Sequence, residues 1–276
     1  MGNNSILVTG ASGFIGSHLI QSAKDDSIPF IGLSRSKENN NLSKVKNYLE
    51  LDKYLKDDQI CVHLAGSNDI ESIDTNEIKL LEYLADVYKS KLIYISSSYV
   101  YGSSYKLPIL ETDAISITNN YSSRKRDCEN IVIRNSGVVL RLTNVYGPRM
   151  SKSIFNFIYN ELIKKNNLIY IKNGSNIRDF INISDICSAL LMLINNMKSG
   201  IYNLGTGKGT SIFDLCEIFA SHLKIEKKSY EIISDSQDDT MIVLNSNKFK
   251  SDFLWEPIIK LNSGVSEWID YSRNKI

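Results

Sequence analysis

The 276-residue chain predicts an α/β fold, a doubly wound parallel sheet with a small mixed α/β cap. Three observations carry this expectation. Short apolar runs alternate with helix-period segments over the first half. The first run ends in a glycine-rich turn that opens a helix. After Pro148 the rhythm changes to helical segments with short strands between them.

In chain order, Ile6–Thr9 reads as a buried strand and Phe14–Lys24 as a helix, stopped by Asp25-Asp26-Ser27 and Pro29. Phe30–Leu33 is a second strand. Residues 34–47 are polar and asparagine-rich and read as an exposed loop. Ile60–Ala65 is a further strand. Asn76–Tyr88 places Ile78, Leu81, Leu84, Ala85 and Tyr88 at helical spacing. Lys91–Ile95 and Val138–Leu142 are strands, with a helix over Tyr121–Arg134 between them. In the second half, helices are expected over Ile154–Lys165, Asp185–Asn196 and Ile212–Leu223. Gly205-Thr-Gly207-Lys-Gly209 is a turn, and Thr210-Ser211 starts the last of these helices.

Composition narrows the function classes. The chain is 42% hydrophobic and 23% charged, with a formal net charge of +1, so steering toward a nucleic acid is not indicated. Cys61, Cys128, Cys187 and Cys216 show no CxxC spacing and three lie in apolar stretches, so they read as buried free thiols. His18, His63 and His222 are scattered, and no metal site is expected. No run approaches the roughly 18 apolar residues of a membrane span. No signal peptide is visible, and a cytoplasmic location is expected.

Gly10-x-x-Gly13-x-x-Gly16 follows a strand and opens a helix, which is the setting of a dinucleotide site. The first glycine permits a tight turn, the second lets backbone approach a pyrophosphate, and the third lets helix and strand pack closely. The helix N-terminus adds free N–H groups and a positive dipole end. At the end of the second strand an acid suits a ribose hydroxyl and a base suits a 2′-phosphate. Here Ser34 stands at that place and Arg35 follows, so NADP(H) is favoured, with NAD(H) the alternative.

Tyr121 and Lys125, four apart on a helix, face the same way. An unperturbed tyrosine titrates near pH 10, and lowering this to about 7 takes about 4 kcal/mol of preferential phenolate stabilisation. A lysine ammonium one turn away and an oxidised nicotinamide are two positive charges able to supply it. Upstream, Ser96-Ser97-Ser98 offers a hydroxyl to position a substrate oxygen. Together with the glycine turn, the set points to hydride chemistry at an alcohol or ketone.

Eight segments extend this pattern: Thr9–Leu19, His63-Leu64-Ala65-Gly66, Asn76 ahead of Leu80-Leu81, Tyr94–Gly102, Tyr121–Glu129, Arg141–Pro148, Arg178–Asp185, and Tyr202-Asn203-Leu-Gly205. In this order they resemble the extended short-chain dehydrogenase/reductase family of nucleotide-sugar enzymes, over nearly the whole chain. The resemblance implies a Rossmann-like dinucleotide-binding domain over 1–145. It implies a substrate-binding region over 146–276, some of whose elements return to the main sheet. Phe14, Ile15, Leu64 and Ala65 would line the cofactor, and Tyr121 and Lys125 would also touch it.

Counting back from Val100-Tyr101-Gly102, the resemblance makes Ser97 the catalytic serine, with Ser98 the alternative and a substrate contact. It nominates Asn144 and Arg178 for the substrate diphosphate; Arg178 could instead pair with Asp179 or Asp185. Dehydratases of the family place Asp-Glu after the active-site hydroxyl, whereas here Ser98-Tyr99 follows. A homodimer through the helix carrying the tyrosine is also implied.

The leading expectation is therefore NADPH-dependent reduction of a keto group, at C4, on a nucleotide-linked deoxysugar. A nucleotide-sugar 4-epimerase with tightly held NAD(P) is the alternative, using the same residues. A non-catalytic dinucleotide-binding regulator is the third reading, against which both Tyr121 and Lys125 are retained.

Overall fold

The computed structural model describes residues 5–35, 38–45, 50–56, 58–66, 75–103, 106–150, 153–164, 168–171, 173–226, 231–233 and 240–274. In chain order its elements are β1 (Ile6–Thr9), α1 (Phe14–Asp25), β2 (Phe30–Ser34), β3 (Leu42–Lys44), β4 (Ile60–His63), α2 (Thr75–Tyr88), β5 (Leu92–Ser97), α3 (Asn120–Arg134), β6 (Val138–Leu142), β7 (Asn144–Tyr146), α4 (Ile154–Ile163), β8 (Leu168–Tyr170), β9 (Ile177–Asn182), α5 (Ile183–Asn195), β10 (Gly200–Leu204), β11 (Gly209–Ser211), α6 (Ile212–Leu223), β12 (Glu231–Ile233), β13 (Met241–Ile242), α7 (Asn247–Phe253) and α8 (Leu261–Arg273).

Seven strands form one sheet in the order β10-β6-β5-β4-β1-β2-β3. Every pairing in it is parallel. All residues of β1, β4, β5 and β6 are buried, because a parallel sheet is covered on both faces. Alternation along the strands sorts the two faces. Ile6, Val8, Ile93 and Ile95 pack with α1 and α5, and with Phe249, Phe253 and Trp255 near the chain's end. Leu7, Cys61 and Tyr94 pack with Leu81 and Leu84 of α2 and with Cys128 and Val132 of α3. The sheet edge at β10 therefore comes from the second half of the chain.

The expected loop over 34–47 contains a strand. β3 pairs with Gly32, Leu33 and Ser34 of β2. Its three residues are half-buried or exposed, so backbone pairing holds it and no apolar period announces it. Residues 36, 37, 46 and 47 of that expected loop lie outside the described residues.

Outside the sheet, β9 is the centre of a smaller one, flanked by β11 and β13 and paired with β7. Above it α4, α6 and α8 enclose an aromatic cluster. The Phe155 ring lies 4.7 Å from Tyr146, 5.3 Å from Phe219 and 5.9 Å from Trp268. All four cysteines are buried and free. Among the described residues no helix is long and apolar enough to cross a membrane, and no cluster of three metal-ligating side chains occurs.

Trp268 is 2% exposed at the meeting point of these rings. Trp268→Ala should lower the unfolding free energy by about 3–5 kcal/mol, read from urea denaturation. A loss below about 1 kcal/mol would show that α8 is not part of the cooperative core.

Candidate active site

The C-terminal ends of the parallel strands converge on the glycine turn. Gly10 has φ +66°, and a Cβ there would lie 2.7 Å from Leu64 C and Ala65 N. This position needs glycine for both conformation and space. A Cβ on Gly16 would lie 2.4 Å from the Gly10 carbonyl oxygen, so the third glycine lets α1 start tight against the turn. Gly13 is the N-cap of α1 and no side chain caps that end. The first-turn N–H groups, of Phe14, Ile15 and Gly16, thus have no intrahelical partner and face outward. Bare N–H groups, a dipole end and no Cβ make a cradle that fits a dinucleotide pyrophosphate.

Thr9 locks the strand ends beside this cradle. Its hydroxyl lies 2.8 Å from His63 Nδ1 and accepts the N–H groups of Leu64 and Ala65 at 3.3 and 3.4 Å. Ser34, at the end of β2, is buried and donates to the Ser12 hydroxyl at 2.8 Å. Arg35 follows and is exposed.

The three serines divide their work. Ser96 donates to Glu129 at 2.6 Å. Ser97 Oγ accepts the Tyr99 N–H at 3.2 Å, capping the short 3-10 turn Ser98–Tyr101. That bond uses a lone pair and leaves the Ser97 hydrogen to donate. Ser98 is 1% exposed and Ser97 8%.

Helix α3 begins in a capping box between Asn119 and Ser122. Tyr121 lies in its first turn and is half-buried, while Lys125 one turn on is buried. Lys125 Nζ lies 5.8 Å from the Tyr121 ring centroid and donates to the Ile95 carbonyl at 3.2 Å. It also meets Glu77 at 3.3 Å. Two turns past Tyr121, the buried Glu129 accepts Arg141 through both oxygens, at 2.7 and 2.9 Å.

Toward the smaller sheet, the Tyr99 ring packs edge-on against Tyr121 at 6.2 Å. The Tyr99 hydroxyl lies beside the Arg178 guanidinium, where it opposes the lowering of that group's pKa by burial. Arg178 donates to the Thr240 carbonyl at 2.9 Å and to its hydroxyl at 2.6 Å. It pairs with neither Asp179 nor Asp185. Asp179 instead takes Thr206, Gly207 and Leu244, and Asp185 takes the N–H groups of Ile258 and Ile259. Asn144 is half-buried, on a neighbouring strand, and donates to the Asp179 carbonyl at 3.4 Å. Ser97, Tyr121, Lys125, Tyr99 and Arg178 are thereby joined in one chain of contacts. Tyr99 and Glu77 carried no sequence signal as site residues. Glu77 reads as a first-turn acid of α2, and only its contact across to α3 distinguishes it.

The sequence model of the NAD dependent epimerase/dehydratase family matches residues 6–205. A putative UDP-glucose 4-epimerase of Methanocaldococcus jannaschii is 26% identical, over 98% of each chain. The crystal structure of a dTDP-glucose 4,6-dehydratase from Bacillus anthracis in complex with NAD superposes with a TM-score of 0.86 at 23% identity, covering 98% of this chain and 97% of that one. RMD from Pseudomonas aeruginosa, complexed with NADPH, gives 0.83 at 22% identity, covering 99% and 100%. These structures share the fold.

Two predictions follow from this geometry. Gly10→Ala should weaken dinucleotide binding at least about tenfold by calorimetry, since left-handed backbone alone costs a side chain roughly 1–2 kcal/mol. Unchanged affinity would remove the cradle. Second, burial, aided by the Lys125 charge, depresses the His63 pKa to about 3. The unfolded chain then binds a proton below about pH 6.5 that the folded chain refuses. Stability is retained above that pH and lost as pH falls toward 3. His63→Gln should flatten the slope of unfolding free energy there by about 1.4 kcal/mol per pH unit. An unaltered slope in urea melts at stepped pH would contradict this.

Proposed function

The chain belongs to the NAD dependent epimerase/dehydratase family, and we propose that it is an NADPH-preferring reductase of a keto group, at C4, on a nucleotide-activated deoxysugar. One observation carries the reading. Tyr121 and Lys125 lie together beside β5, Ser97 at the end of that strand is linked to Tyr121 through Tyr99, and Ser98-Tyr99 follows Ser97 where water elimination would call for an acid and a base. The set supports redox at a single carbinol and no elimination.

When bound, the reduced dinucleotide supplies a hydride to the keto carbon. The C–O π pair moves to the oxygen, and the Tyr121 hydroxyl passes its proton there. Ser97 donates a hydrogen bond to the same oxygen with the hydrogen that its Tyr99 contact leaves available. Lys125 holds positive charge beside the tyrosine as it becomes a phenolate. Gly10, Gly13 and the first turn of α1 would hold the pyrophosphate. Arg35, exposed just after β2, would meet a 2′-phosphate, and its position there supports NADP(H) over NAD(H). Asn144 and Arg178 hold the substrate diphosphate, Arg178 by exchanging its Thr240 contacts. The enzyme acts in the cytoplasm, as a homodimer through a bundle that includes α3, where Ile133 is exposed.

A second reading, nucleotide-sugar 4-epimerisation, is favoured by the M. jannaschii relative that matches end to end. There the hydride is taken from the sugar and returned to its opposite face.

Nucleotide sugars and their 4-keto derivatives incubated with NADPH or NADH separate the two. Reduction consumes one NADPH per product; epimerisation leaves the absorbance at its starting value while product forms. Tyr121→Phe should lower kcat by about 10²–10⁴. Arg35→Ala should raise the Kd for NADPH about tenfold and leave that for NADH unchanged. Turnover of neither substrate class would sink the reading.

A further inference from the structure

The proton-transfer pair does not stand alone. Glu77, in the first turn of α2, is a buried carboxylate whose side chain is 1% exposed. It meets Arg124 Nε at 3.0 Å through one oxygen and Lys125 Nζ at 3.3 Å through the other. The Tyr94 hydroxyl donates to that second oxygen at 3.3 Å. Gly66 closes the space behind it, since a Cβ there would lie 2.6 Å from the carboxylate. The two cations Glu77 holds are those that flank Tyr121. The Arg124 guanidinium carbon is 5.7 Å and Lys125 Nζ 5.8 Å from its ring centroid.

We propose that Glu77 is a positioning residue for the proton-transfer pair, clamping Arg124 and Lys125 against Tyr121 and opposing the positive field they exert on it. The inference rests on Tyr121 and Lys125 being that pair.

Among the described residues, the titratable groups packed around the cluster include His63 from β4, Tyr94 from β5, and Arg124, Lys125 and Cys128 from α3, with Glu77 from α2; Tyr99, with Arg178 beside it, packs on the other side of Tyr121. Burial disfavours the charged form of His63, Tyr94 and Cys128 alike. Among the groups named, Glu77 is the carboxylate and Arg124 and Lys125 are the cations it meets. The Glu77 carboxylate opposes the field of these two cations at Tyr121. The same carboxylate keeps the two cations from repelling each other out of place. A fold-holding ion pair would need neither cation to face Tyr121.

The test reads Tyr121 directly. Tyrosinate absorbance is titrated in the full chain, and the same titration of Tyr121→Phe is subtracted, leaving the Tyr121 step. Glu77→Gln removes the negative charge, so the midpoint of that step should fall by about one pH unit, a tenfold change in the ionisation constant. Arg124→Gln removes a positive charge, and the midpoint should rise by a similar amount. The acid limb of kcat/KM for sugar oxidation should follow in the same directions. If Glu77→Gln does not fold, Arg124→Gln carries the test with the opposite sign. Midpoints that stay in place in the folded variants would overturn the inference and leave Glu77 as an ion pair of the fold. If instead Tyr121→Phe keeps full turnover, the proton-transfer reading itself fails, whatever the titration shows.

Discussion

Helix α3 is held on the sheet by a buried carboxylate, and the site depends on that attachment. Glu129 is fully buried, so its charge must be met by partners or its desolvation is uncompensated. Arg141 of β6 meets both of its oxygens, and Ser96 of β5 donates to one of them. These bonds fix the rotation and height of α3 over β5 and β6. A helix rises about 1.5 Å per residue, so a slip of one residue would swing every side chain by about 100°. Tyr121 and Lys125, two turns and one turn upstream, face the strand ends because Glu129 cannot move.

From Arg141 the network runs onward. The guanidinium donates to Tyr101, whose hydroxyl donates to Asn203 of β10. Glu111 accepts the Asn203 N–H, and the Ile109 carbonyl accepts its side-chain amide. The polar core thus ties β5, β6 and β10 to the segment that crosses from Tyr101 to α3. The smaller sheet has its own buried carboxylate in Asp179, which gathers N–H groups from Thr206, Gly207 and Leu244. Each half of the site is anchored by an acid that binds rather than reacts. The groups left between the two anchors are the half-buried Tyr121, the exposed Tyr99 packed against it and the Arg178 guanidinium beside Tyr99.

Much of the fold was legible because its signals are local. The strand runs of β1, β4, β5 and β6 carry mainly apolar side chains, α2 carries a helical period, and α3 and α6 have caps beside them. β3 was not legible, because a half-exposed edge strand is held by backbone pairing that no side-chain pattern records. The glycine turn was legible because its demand is steric and falls on residues three apart. The tyrosine and lysine were legible because a helix sets their spacing.

The sequence by itself determined the parallel α/β class, the cradle and the order of the motifs, since each rests on contacts within a turn or one helix. The tertiary structure alone decided which partners those motifs meet. Glu77 reaches Lys125 across 48 positions of chain and Arg178 reaches Thr240 across 62, so no period or spacing links them. Of three adjacent serines it turned Ser96 to Glu129 and left the Ser97 hydrogen free to donate, a division set by which residue of β5 faces α3. Local rules write the elements, but a buried charge finds its partner only when the packed core brings distant segments together and denies it water.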